Sequence, residues 1–138
     1  MGKNRLNVKT FYQFTVLETH LDTFGHINNA TYLTLFEQAR WEILENNNYG
    51  LKVIQESQKG PVILKIEIKY KKEVSLREQM TIETSYIKKV NPKVIRIQQQ
   101  MLNGNKDLCC EAIFDIGFMD LQKRKLIHFS NEYINIFH

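Results

Sequence analysis

The stretch H-L-D-T-F-G-H-I-N-N-A-T-Y-L-T-L-F-E-Q-A-R, His20 to Arg40, decides how the rest of the chain is read. It sets an acid, Asp22, in a polar loop, puts Gly25 and His26 in a turn, and places Asn28 and Asn29 where a helix can begin. Either asparagine can cap that helix by accepting a bond from a free N–H of its first turn. The pattern predicts a helix to about Asn46, where Asn46-Asn47-Asn48-Tyr49-Gly50 supplies the stop. At about 100° per residue, Thr31, Thr34, Gln38, Glu42 and Glu45 form one narrow polar stripe. Leu33, Phe36, Ala39, Ile43 and Leu44 cover the other side. A helix with so thin a wet edge is expected to be wrapped, most simply by a curved sheet. Glu37 and Arg40 fall toward the apolar side at spacing i, i+3, where they can pair; a buried ion pair and a chemical role are both open readings. A carboxylate beside a helix N-terminus is a workable device for attacking a carbonyl, because the free N–H groups there can stabilise the oxygen as it becomes negative.

The flanking segments read as the strands of such a sheet. Phe11 to Thr19 is rich in aromatic and β-branched residues and reads as the first strand. Leu51 to Lys59 is a polar connection with room for one helical turn, and Gly60-Pro61 marks the turn into Val62 to Tyr70. From Leu64 onward that run alternates, with Leu64, Ile66, Ile68 and Tyr70 on one face, as a half-buried strand does. Gln79 to Lys88 puts Met80, Ile82, Thr84 and Tyr86 on one face. After the turn Val90-Asn91-Pro92-Lys93, Val94 to Leu102 has Ile95, Ile97 and Met101 as its apolar face, interrupted by Gln99. Asn103-Gly104-Asn105 is a hairpin signal. Leu108 to Leu121 is expected to be a long strand and Asn131 to Phe137 a short helix. No repeat, low-complexity segment or linker divides residues 1–138, which are expected to form a single domain.

Composition narrows the classes. With 43% hydrophobic and 25% charged residues the chain reads as a soluble globular domain, and no apolar run approaches the ~20 residues of a membrane helix. The start lacks the apolar core of a secretory signal, and Leu6 breaks the myristoylation pattern that Gly2 opens, so a cytoplasmic location is expected. The formal net charge of +4 comes from cations interleaved with acids, such as Lys65 with Glu67 and Arg77 with Glu78, as on a solvated surface; the sharper reading is a site for an anionic, nucleotide-bearing ligand. No nucleic-acid reading motif is found. Cys109 and Cys110 are adjacent, so on a strand they point to opposite faces; that suits neither a disulfide nor a metal site, and no metal site is expected.

One helix wrapped by antiparallel strands in this order looks like the α+β hotdog fold, a long central helix inside a curved sheet of about five strands. The motif from Leu21 to Arg40 resembles the 4-hydroxybenzoyl-CoA thioesterase-like family, which shows an aspartate, then G-H-x-N-N, a tyrosine and F-E-x-A-R. Relatives often carry a proline after the strand-two tyrosine and a Gly-Asp turn; here stand Lys71-Lys72-Glu73 and Arg77-Glu78.

The resemblance implies an acyl-CoA thioesterase that needs no cofactor, coenzyme A being part of its substrate. Asp22 then stands for the catalytic carboxylate, as nucleophile or as base for water, and the amide of Asn29 for the group that polarises the carbonyl. His26 and Asn28 shape the loop or contact substrate, and Glu37 stands where other hotdog thioesterases hold the acid instead. Lys88, Lys89 and Lys93 flank the hairpin at which related enzymes hold the nucleotide phosphates. It also implies a homodimer or homotetramer. Taken alone, Asp22 reads as a turn former, His26 as a loop histidine and the lysines as an ordinary basic hairpin tip. A non-catalytic module binding acyl-CoA or a partner, and a hotdog dehydratase, are the other readings considered; no paired Asp/His hydratase signature is present.

Overall fold

The computed structural model describes residues 9–137. In chain order these form β1 (Thr10–Thr15), a 3-10 turn (Glu18–His20), α1 (Asn29–Asn46), α2 (Leu51–Ser57), β2 (Lys59–Tyr70), β3 (Gln79–Asn91), β4 (Val94–Leu102), β5 (Leu108–Asp120), β6 (Lys125–Leu126) and α3 (Asn131–Phe137). The strands make one antiparallel sheet in the order β1-β3-β4-β5-β2, with the two-residue β6 added to β5.

The wrapping of α1 follows from its buried residues, Tyr32, Leu35, Phe36, Ala39, Ile43 and Leu44. Phe36 meets Phe114 of β5 edge-on at 6.1 Å, Tyr32 meets Tyr70 of β2 at 5.2 Å, and the backbone carbonyl of Phe36 accepts a bond from Gln99 of β4. The inner face of β3 and β4 is the one the alternation predicts: Met80, Ile82, Thr84, Ile95, Ile97, Gln99 and Met101 are all buried. Phe118, Phe129, Tyr133 and Phe137 close the core at the α3 side through stacked and tilted ring contacts. This is the hotdog arrangement, with β6 as an extra strand.

Several expectations need correction. The first strand ends at Thr15 rather than Thr19, because Leu17 donates its N–H to Nδ1 of His20 and the chain turns through Glu18–His20. Gly60 and Pro61 lie within β2, paired with Met119 and Phe118 of β5. β2 is an edge strand, where a residue without an N–H is tolerated. The register shifts at Leu64, and the row expected to be half-buried keeps Leu64 46%, Ile66 41% and Tyr70 51% exposed. The Asn-Gly pair does not form a two-residue hairpin. The loop spans Asn103 to Asp107, with the left-handed residue at Lys106 (φ 64°) and the Asn103 side chain accepting from Asn105 N–H and Asp107 N–H.

Arg77, in the turn for which the resemblance expects Gly-Asp, has a φ of 65°. That left-handed conformation costs an ordinary residue roughly 1–2 kcal/mol. Two contacts hold it there: its N–H donates to Val16 and its guanidinium pairs with Glu18, both partners of that ion pair being well exposed. Such an exposed pair contributes about 1 kcal/mol or less. Arg77→Gly is therefore expected to leave stability unchanged or raise it by up to about 1 kcal/mol, despite glycine's greater unfolded-state entropy. Urea unfolding checks this; a loss above 1 kcal/mol would show that the ion pair outweighs the backbone strain.

Candidate active site

Residues 20–28 fold into a small hairpin that the sequence builds from its own polar groups. Asp22 and His26 are joined by Asp22 N–H to the His26 carbonyl (2.9 Å), Leu21 bridges to Ile27, and Asn28 N–H reaches the His20 carbonyl at 3.0 Å. Gly25 sits at φ 80°, a conformation that glycine adopts without steric cost. The second arm is tied to the segment after β2 by Ile27 N–H to Val74 and a bridge between His26 and Ser75. Asp22 is a turn former here: its Oδ1 accepts from Phe24 N–H at 2.8 Å and, more weakly, from His26 N–H at 3.4 Å. Oδ2 forms no hydrogen bond among the described residues.

The chain then enters α1 with Asn28 as its cap, the side chain accepting from Ala30 N–H at 2.9 Å and the carbonyl from Thr31 N–H at 2.9 Å. Among the described residues nothing accepts the Asn29 N–H. Asp22, His26, Asn29, Tyr32 and Tyr70 line one open cleft of about 400 Å³, with Lys71, Lys72 and Glu73 at its rim. The volume lies within the range of small-ligand sites. Asp22 also acts electrostatically on Tyr32; burial chiefly, with smaller contributions from neighbouring cysteines, Tyr70 and Asp22, pushes the Tyr32 phenol up to about 12. Lys71 and Lys72 are held by Glu111 (3.4 Å) and Asp107 (2.7 Å). Nε2 of His26 stands 3.1 Å from Oε2 of Glu73.

Asp22, His26, Asn28 and Asn29 are thus brought together. Glu37 is not: it is exposed and opens on a separate cleft of about 80 Å³ beside Arg40, Trp41, Pro61 and Tyr133. Nor does it pair with Arg40. Arg40 Nη1 instead donates to Oε1 of Gln99 at 2.9 Å, and the guanidinium lies 4.5 Å from the centroid of the Phe114 ring. Gln99, fully buried, also donates to the Phe36 carbonyl and to Oγ1 of Thr84. Burial lowers the pKa of Arg40, while Glu37 pulls it the other way.

Lys88, Lys89 and Lys93 are exposed at the far tip of the β3–β4 hairpin. Nine residue steps along β3 separate Gln79, beside the Asp22 end, from Lys88, about 30 Å at ~3.3 Å per residue. Sequence reasoning missed their neighbours. Val94 pairs with Gly117 and Phe129 N–H reaches the Pro92 carbonyl, so the turn carrying Lys123, Arg124 and Lys125, past the end of β5, stands at the same end of the sheet as the lysine tip. Among the described residues none of these six cations forms an ion pair. It missed Tyr70 as a site residue too, although its place on the strand beside the helix start was a signal.

The hotdog fold thus carries a turn-held carboxylate and a capped helix start on one cleft. The thioesterase-like superfamily matches residues 16–137, and the chain belongs to it; as a class it is a thioester hydrolase. It is 30% identical over 121 residues to the long-chain acyl-CoA thioesterase FadM of Escherichia coli, covering 87% of this chain and 90% of that protein. It is 27% identical over 132 residues to the acyl-CoA thioesterase YbgC of Haemophilus influenzae, covering 95% and 91%. A Staphylococcus aureus protein solved in complex with CoA has the same fold, with a TM-score of 0.86 at 16% identity over 98% of this chain and 85% of that one. No helix among the described residues is long and apolar enough to cross a membrane.

Proposed function

We propose that the chain hydrolyses an acyl-CoA to a free acid and coenzyme A. The observation that carries the reading is the shared cleft of Asp22 and Asn29, with one carboxylate oxygen and one backbone N–H left without partners among the described residues. In this reading the Asn29 N–H binds the thioester carbonyl oxygen, and Oδ2 of Asp22 either takes a proton from the attacking water or attacks the carbonyl carbon itself. The N–H then stabilises the oxygen of the tetrahedral intermediate, and its collapse expels the CoA thiolate, which takes up a proton; on the nucleophilic route the acyl–Asp22 anhydride left behind is opened by water, which gives the free acid and restores the carboxylate. His26 and Asn28 support the loop and the helix cap. The names and coverage of the FadM and YbgC relatives support an acyl-CoA substrate. Release of free thiol from short, long and aromatic acyl-CoAs tests the reading: turnover of at least one is expected. No turnover of any, with acyl-CoA still binding, would favour the non-catalytic module instead.

The lysines belong to this reading only across copies of the chain, since their own Asp22 lies at the other end of the sheet. The half-exposed apolar row of the β2 edge offers a surface for a second copy, as a homodimer or, further assembled, a homotetramer. Replacing Lys88, Lys89 and Lys93 together by glutamate is expected to raise KM for acyl-CoA about tenfold, an effect that shrinks as salt is added, with kcat preserved. The same acyl group on pantetheine, lacking the nucleotide, serves as control. An equal KM rise with that substrate would remove the lysines from nucleotide binding.

A further inference from the structure

Tyr70 stands at the last position of β2, and its hydroxyl donates to the backbone carbonyl of Asn29 at 3.0 Å. Its ring meets Tyr32, one turn into α1, edge-on at 5.2 Å. The bond joins the sheet edge to the first turn of the helix, in the wall of the cleft that holds Asp22. A carbonyl oxygen has two lone pairs, so the Asn29 carbonyl can take this donor as well as its helical one.

From this contact we infer that Tyr70 is a positioning residue for the Asn29 N–H, a role that rests on the thioesterase reading above. The Asn29–Ala30 peptide is gripped at both ends, its oxygen by Tyr70 and its N–H by Oδ1 of Asn28. Among the described residues the Asn28–Asn29 peptide is held through its oxygen, which accepts from Thr31 N–H, while its own N–H has no acceptor and Asn29 lines the cleft. Peptide planes are rigid and turn only about the bonds at each Cα. For the Asn28–Asn29 plane to swing its N–H away from the cleft, the adjoining plane must counter-rotate or the chain direction changes. Tyr70 holds that adjoining plane. A bare helix N-terminus frays; this one is clamped from the strand beside it. The clamp keeps the donor aimed at the place where negative charge develops, which is where a preorganised N–H contributes most to rate.

Tyr70→Phe tests this, because it removes one oxygen and keeps the ring against Tyr32. With the acyl-CoA that the wild type turns over fastest, kcat is expected to fall about three- to tenfold, the range of one neutral hydrogen bond, with KM within about twofold. The thermal midpoint should stay within a few degrees, and the amide NMR signals of Asn29 and Ala30 should move and exchange faster in the ligand-free protein. Unchanged kcat, or a rise in KM with kcat preserved, would overturn the inference, the second outcome making Tyr70 a substrate contact. Unmoved amide signals would overturn it as well. If Asp22→Asn kept full turnover, the thioesterase mechanism would fail on its own, and the amide signals would still read the clamp.

Discussion

Asp22→Asn is expected to lower thiol release by about 10²–10⁴-fold while the protein stays folded. Asparagine keeps the oxygen that accepts from Phe24 N–H and forms the same kind of turn, so the Asp22–His26 hairpin should survive. What is lost is the negative charge and the second carboxylate oxygen, the one without a partner among the described residues. An amide nitrogen there can neither take a proton from water nor attack a carbonyl carbon. The fall should therefore appear in kcat, with a thermal midpoint close to that of the wild type. Turnover within tenfold of wild type would remove Asp22 from the chemistry. Glu37→Gln would then be the next variant, although Glu37 opens on a different cleft in this chain.

The largest expected effect on stability comes from Gln99→Leu. The side chain is fully buried and serves three partners: Arg40, the Phe36 carbonyl and Thr84. Leucine fills nearly the same space but leaves a guanidinium and a hydroxyl without their buried partner. A buried polar group stripped of its partner costs about 1–3 kcal/mol, and charged groups cost more. Arg40 is only half-buried and can recover part of its loss from water. The sum is about 2–4 kcal/mol, a drop of roughly 10 °C in Tm for a chain of this size. Thermal unfolding checks it; a shift under 3 °C would mean that the network closes over the gap.

These two residues also show where sequence reading reached and where it stopped. The turn that holds Asp22 was legible because its parts lie within eight residues and their geometry is local: an acid, a glycine at positive φ, and an asparagine cap. The inner faces of β3 and β4 were legible from strict alternation. Gln99 was visible only as an interruption. Its partners Arg40 and Thr84 lie 59 and 15 residues away, and no spacing rule links positions so distant. The Glu37–Arg40 pairing failed for the same reason, since helical spacing offered a near partner while the fold supplied a better one from the sheet. The exposed apolar row of β2 could not be seen in advance, because alternation says which residues share a face but not whether anything covers it.

The distance between the two ends of β3 bears on how catalysis should respond to dilution. A ligand that touched both the carboxylate and the six cations of one chain would have to run the length of the sheet; touching those of two chains, it need only cross their boundary. In the second case the competent unit is a pair, and its population falls with the square of subunit concentration once dissociation begins. Activity per subunit should then hold steady at high concentration and decline on dilution below the dissociation constant of the pair. Saturating acyl-CoA, bridging the copies, should carry that decline to lower protein concentrations.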